Sequence, residues 1–177
     1  MPIKSVNIIA QNKNASAPVL WRLGRLYHVV TNVTDARVSD EIAFVKADIE
    51  GSSSQIASAV AYLHNLGLLT DTLDDTSLPA AIPADPESSV SRANNITVRL
   101  NTVTSSQSDI PLLYRIGRDY EIVVNILEAE YSHETGGYLL IDLSGPLGEI
   151  QRAIAYIHTT GVHIDARQRS VTDFSNL

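Results

Sequence analysis

Apolar and polar residues alternate at Val6-Asn7-Ile8 and again at Ile96-Thr97-Val98-Arg99-Leu100, the period of a strand with one buried face. After each stretch the period lengthens. Leu20, Leu23 and Tyr27 recur at helical spacing, as do Leu113, Ile116 and Tyr120. Ser16 and Asp109 are helix N-cap types, and each has a proline two residues on, where a missing N–H does no harm. β-Branched runs follow, Val29 to Val33 and Ile122 to Ile126, and predict a second strand. Polar connections containing Ser39-Asp40-Glu41 or Ser132-His133-Glu134 lead to a third strand, about Ile42 to Ile49 and Tyr138 to Leu143, ended by Gly51 and Gly145. Ile56, Ala59, Val60 and Leu63 then make the stripe of one buried helix face, as do Ile150, Ala153, Ile154 and Ile157. Gly67 and Gly161 stand where a left-handed helix cap is expected, and a short fourth strand is expected to close each half.

The same pattern occurring twice is an internal repeat. Arg22, Gly24, Arg25, Tyr27, Val30 and Asn32 coincide with Arg115, Gly117, Arg118, Tyr120, Val123 and Asn125, all 93 residues apart, and Pro18 meets Pro111 at that spacing. Farther on the spacing is 94, so the second copy carries one extra loop residue. Asp48 then pairs with Asp142, Gly51 with Gly145, Tyr62 with Tyr156 and His64 with His158.

The order βαββαβ is the ferredoxin-like split βαβ pattern. The expected class is α+β: two ferredoxin-like units, each a four-stranded antiparallel sheet with both helices on one face. Residues 3–73 form the first unit, 74–94 a linker with Pro79, Pro83 and Pro86, 95–166 the second unit, and 167–177 a polar tail. Strand parity puts Ile122, Val124 and Ile126 toward the helices. It puts Val123, Asn125 and Leu127 on the open face, with Tyr138, Leu140 and Asp142. In the first copy Val30, Asn32, Phe44 and Asp48 face out. An open face that is partly apolar marks an interface. The expectation is pairing of the two copies, or of copies between chains as a homo-oligomer.

Charge and composition narrow the function. A net charge of −7, with 13 basic residues scattered among 20 acidic ones, argues against nucleic-acid binding. No cysteine is present, which removes disulfides, thiolate catalysis and Cys-type zinc sites. Met1-Pro2-Ile3-Lys4 has no signal-peptide core and no apolar run approaches a membrane span, so a cytoplasmic protein without membrane insertion is expected. The five histidines show no metal spacing. No Ser-His-Asp or paired-carboxylate set can be assembled, so neither an enzyme nor a cofactor is expected.

Tyr120-Glu121-Ile122-Val123-Val124-Asn125-Ile126-Leu127 contains the Asn-Ile-Leu for which the NIL domain is named. Gly137-Tyr138-Leu139, Gly145, Ala153 to His158 and Gly161-Val162 resemble the same family in order. The first copy resembles it more loosely, with Asn32-Val33-Thr34 and no glycine matching Gly137. The NIL domain is similar to the ACT domain, a ferredoxin-like module that binds small molecules. In methionine importer ATPases a pair of NIL domains binds methionine at their interface and lowers transport, and the motif Asn helps hold it. The resemblance places Asn125 and Asn32 at that position. No Gly-rich phosphate loop accompanies them, so regulation by a separate chain is implied.

Each candidate has a plainer counterpart. Asn is unfavourable in a strand, and its return at one position suits an amide that meets a carboxylate or an ammonium. It equally suits an amide that satisfies a neighbouring strand and was inherited by duplication. Free N–H groups at the starts of the first helices could receive an anion, but Asp109 would itself cap one of them. Asp48 and Asp142 could meet an ammonium, although a salt bridge to Arg22, Arg25, Arg115 or Arg118 is the simpler use. The site expected is Asn125 and Asn32 at the polar end, with Val123, Leu127, Tyr138, Leu140, Val30 and Phe44 around an apolar side chain. Its ligand would be an amino acid such as L-methionine, bound between paired units. A ligand-free module docking on a transporter or metabolic enzyme is the alternative, and an amino-acid-responsive regulator of gene expression acting through a partner is the third.

Overall fold

The structure is a computed structural model that describes residues 1–11, 18–68, 90–91, 93–102 and 111–169. The first half contains β1 (Ile3–Gln11), α1 (Val19–Tyr27), β2 (Val30–Val38), β3 (Ile42–Glu50) and α2 (Ser53–Asn65). The second contains β4 (Asn94–Thr102), α3 (Leu112–Asp119), β5 (Val123–Ser132), β6 (Gly136–Gly145), α4 (Leu147–Thr159) and β7 (His163–Arg169). The second half follows the predicted order, and the described part of the first follows it as far as α2. β7 runs past the boundary drawn at 166. Ser16, Asp109, most of the 74–94 linker, the first unit's fourth strand and the end of the tail lie outside the described residues. The N-cap positions observed are Pro18 and Pro111, whose carbonyls accept from Arg22 and Arg115 N–H at 3.0 Å each.

The seven strands form one antiparallel sheet in the order β1-β3-β2-β5-β6-β4-β7. This corrects the expectation of two separate sheets. The second unit has the ferredoxin-like order of four strands, and the described part of the first has three. They meet edge to edge, β2 against β5, rather than face to face. An unpaired strand edge is a liability in either unit alone, and joining the edges satisfies both. The strands also run longer than the alternation predicts. β2 is irregular between Val33 and Asp35, and β5 between Ile126 and Glu128. Each bulge breaks the two-residue period, and what lies beyond it, Asp35–Val38 and Ala129–Ser132, is the segment that joins the units.

The four helices of the described residues cover one face of the sheet. Val6, Ile8, Ala47 and Ile49 meet the helices of the first half, and Val98, Leu100, Ile141 and Leu143 those of the second, all buried. The predicted stripes of α2 and α4 are buried as well, Ile154 only in part. α2 begins with a reciprocal cap. Ser52 Oγ accepts from Gln55 N–H at 3.2 Å, and Gln55 Oε1 accepts from Ser52 N–H at 2.9 Å. Gly67 and Gly161 take φ of 72° and 82°, the left-handed caps expected of them.

Candidate functional site

Two repeated glycines locate the centre of the molecule. Gly24 and Gly117 sit inside helices α1 and α3, where glycine costs about 1 kcal/mol against alanine. Neither has a positive φ, so conformational need does not explain them. Close approach does. A Cβ on Gly24 would stand 3.3 Å from Tyr114 Cδ2, and one on Gly117 would stand 2.8 Å from Trp21 Cδ1. Trp21 and Tyr114 are themselves repeat partners, 93 residues apart. Each helix thus lays its aromatic ring on the other's glycine, across the joint between units.

Under this crossing the sheet is incomplete. β2 and β5 pair only from Asp35↔Ser132 to Val38↔Ala129. Beyond Val38, β5 continues through Ile126, Asn125 and Val124 without β2 beside it. Beyond Ser132, β2 continues through Val33, Asn32 and Thr31. A cavity opens at each end of the short ladder, on the helix side. At one end it measures about 310 Å³, with Ile8, Ala10, Val38 and Val45 below, the start of α1 at one wall, and Tyr114, Gly117 and Arg118 at the other. At the other end it measures about 40 Å³. Equivalent positions explain the difference. Tyr131 stands where the first half has Val38, Thr102 where it has Ala10, and Leu139 where it has Val45. The larger residues fill the second cavity.

The large cavity is mainly apolar, and the charged side chains that border it are cationic. Among the described residues no Asp or Glu lines it, whereas Arg25, Arg118 and His28 do. Trp21 is 7 % exposed, and its Nε1–H finds no acceptor among the described residues. The Nε–H of Arg25 is also buried without one. Arg25 lies over the Trp21 ring at 5.1 Å and extends Nη2 toward the Tyr120 carbonyl at 3.5 Å. Arg118, 5.5 Å from the Tyr114 ring centre, is held by Asp119 through contacts of 2.7 and 3.1 Å. That pairing holds the Asp119 carboxyl below its ordinary pKa and raises that of Arg118. Both nitrogens are closed off from the cavity as well as unpaired, a cost of about 1–3 kcal/mol each that the surrounding packing offsets.

Only part of the sequence-predicted site is gathered here. Asn125 borders the large cavity and Asn32 the small one. Each sits opposite an aspartate, Asn125↔Asp142 and Asn32↔Asp48, and strand alternation turns both side chains away from the helices. Val123, Leu127, Tyr138, Leu140, Val30 and Phe44 border neither cavity. Parity put them on the face away from the helices, and edge-to-edge joining keeps the two outer faces from meeting. On that face Tyr138 donates to Glu128 Oε1 at 2.7 Å, which raises the pKa of its phenol, and it packs under Arg99 at 4.2 Å. Asp142 accepts from Asn95 at 2.7 Å and Asp48 from Ser5 at 2.5 Å, rather than from arginine. Trp21, Arg25, Val38, Tyr114 and Arg118 were missed as site residues. The signal for them was the mid-helix glycine that recurs at Gly24 and Gly117, each followed by an arginine and each with an aromatic residue three positions ahead of it.

Residues 97–166 match the NIL domain family. No curated protein matches the chain. Among solved structures, a candidate glycine cleavage system transcriptional repressor aligns over 95 % of this chain and 96 % of its own, at 13 % identity and a TM-score of 0.36. The acetolactate synthase small subunit from Thermotoga maritima aligns over 96 % of this chain and 98 % of its own, at 12 % identity and a TM-score of 0.30. The fold assignment rests on the strand order given above. Among the described residues no helix is long and apolar enough to cross a membrane, and no three His, Asp or Glu side chains gather as a metal would need.

Proposed function

We propose that this chain is a small-molecule-binding regulatory protein of the cytoplasm, without catalytic activity, whose ligand occupies the 310 Å³ cavity at the joint of its two units. The observation that carries this is the cavity itself, mainly apolar, walled by α1 on one side and α3 on the other, and bordered by Arg25 and Arg118. The size suits the purpose. At about 30 Å³ per water-sized group, the cavity holds about ten non-hydrogen atoms, the size of a small metabolite. The first half is a diverged second NIL unit, and the pair inside one chain takes the place of a dimer. The NIL resemblance puts L-methionine and other apolar amino acids first among ligands to try, and a transporter or metabolic enzyme first among partners. Regulation follows from linkage. A ligand touching both α1 and α3 stabilises one packing of the units, and a partner that prefers this packing binds more tightly.

The test is thermal unfolding of the purified chain against the twenty amino acids and a set of short carboxylates. At 100 times its dissociation constant a ligand adds about 2.7 kcal/mol of stability. A selective shift that disappears in Val38→Tyr, which gives the large cavity the residue that fills the small one, supports the site. No shift with any compound would set the proposal aside in favour of a ligand-free docking module.

A further inference from the structure

The face of the sheet turned away from the helices carries a row of residues that crosses both units. β3, β2, β5 and β6 contribute Phe44, Arg37, Glu130 and Tyr138, each the ladder partner of the next. Their chain neighbours Val45, Val38, Ala129 and Leu139 are buried on the helix side, so the row points outward. Arg37 and Glu130 are exposed, and Phe44 and Tyr138 half-buried. Two positions along their strands, Ile42 and Leu140 extend the pattern on the same face, and Ile42 is 47 % exposed. Tyr138 is held in place, since it donates to Glu128 and lies under Arg99. Arg37 and Glu130 are repeat partners, 93 residues apart, as well as ladder partners, so they straddle the centre of the joined sheet. From either end the row reads ring, charge, opposite charge, ring.

That order is self-complementary. We infer that this face is an interface for a second copy of the chain, laid sheet to sheet about a twofold axis that runs along the strands between Arg37 and Glu130. The twofold presents the same row reversed, so that each contact occurs twice. Phe44 meets the partner's Tyr138, Ile42 meets the partner's Leu140, and Arg37 meets the partner's Glu130. The four central charges then alternate in sign around the axis. A register that set Arg37 against the partner's Arg37 would oppose like charges, so the charges select this one. Stacked sheets cross at about 30°, which displaces a row at the axis least. The area is sufficient. Seven strands about 4.8 Å apart, most of them nine or ten residues long, make a face of about 30 by 30 Å. A standard interface needs about 800 Å² from each partner. Edge-to-edge joining turns both units' outer faces the same way, and thus makes one surface of them. The cavity opens on the helix side, so this interface stands apart from the ligand site.

Sedimentation equilibrium of the full chain, without added ligand, tests this. The expected species is a dimer that dissociates on dilution. Ile42→Lys and Leu140→Glu should each weaken self-association at least tenfold, because each carries a lone charge into an apolar contact. Circular dichroism should stay unchanged, since neither position lies in the core. The deciding measurement mixes the two variants. The introduced lysine of one chain then meets the introduced glutamate of the other, while the second contact remains Leu140 on Ile42, and association should return. Within one chain the two positions are three strand spacings apart, about 14 Å, too far to couple directly. Recovery on mixing therefore reports contact between chains, which a folding defect in either variant could not mimic. A chain that stays monomeric up to about 1 mM would overturn the inference. So would a dimer that neither substitution weakens, which would pair through another surface, or a mixture that stays monomeric, which would rule out this register.

Discussion

Gly24 and Gly117 are repeat partners with the same helical surroundings, yet the structure makes their alanine variants different. Helix propensity alone favours each substitution by about 1 kcal/mol. At Gly24 the added methyl would lie 3.3 Å from Tyr114 Cδ2. Tyr114 is only half-buried, and a shift of a few tenths of an ångström relieves the contact. At Gly117 the methyl would lie 2.8 Å from Trp21 Cδ1 and 3.3 Å from its Nε1. The Trp21 ring is buried between the helices and cannot move without displacing one of them. Overpacking of this kind costs about 1–3 kcal/mol. Gly24→Ala should therefore be neutral or slightly stabilising, and Gly117→Ala less stable than Gly24→Ala by about 1–3 kcal/mol. For a chain of this length that separates the two melting temperatures by about 2–4 °C per kcal/mol. Urea unfolding followed by Trp21 emission and by circular dichroism measures both variants on one scale. Trp21→Leu introduced beside Gly117→Ala should recover part of the loss, which identifies the contact as the cause. Equal stability of the two alanine variants, or a more stable Gly117→Ala, would refute the proposed crossing of α1 and α3.

The unequal cavities yield a second expectation. Tyr131→Val removes the side chain that fills the small cavity, should cost about 2–3 kcal/mol, and should raise the calorimetric stoichiometry of any cavity ligand from one to two per chain; a stoichiometry that stays at one would show that Tyr131 is not what closes it. Ser52→Ala removes one side of the α2 cap and should cost about 1 kcal/mol in urea unfolding without altering ligand affinity. An effect on affinity instead would mean that α2, which does not line the large cavity, communicates with it.

Much of the order of elements was legible in the chain. Periods of two and of 3.6 residues set the strands and helices in sequence, because each element must turn one face to a core. The repeat marked Gly24 and Gly117, Trp21 and Tyr114, Arg25 and Arg118 as equivalent pairs. Strand parity grouped Asn32 with Asp48 and Asn125 with Asp142, and the ladders set the members of each pair opposite one another. What parity cannot show is which edge of one unit meets which edge of the other. The bulges at Thr34 and Leu127 interrupt alternation, so the joining segments Asp35–Val38 and Ala129–Ser132 read as connections although they are strands. Once those edges pair, the helix layers of the two halves become neighbours, the repeated glycines acquire their reason, and the candidate site moves from the open face to the space beneath α1 and α3. The sequence alone determines the units, since their patterns are local. Only the tertiary structure decides the site, since its walls come from residues about 90 positions apart, brought together by one short strand ladder.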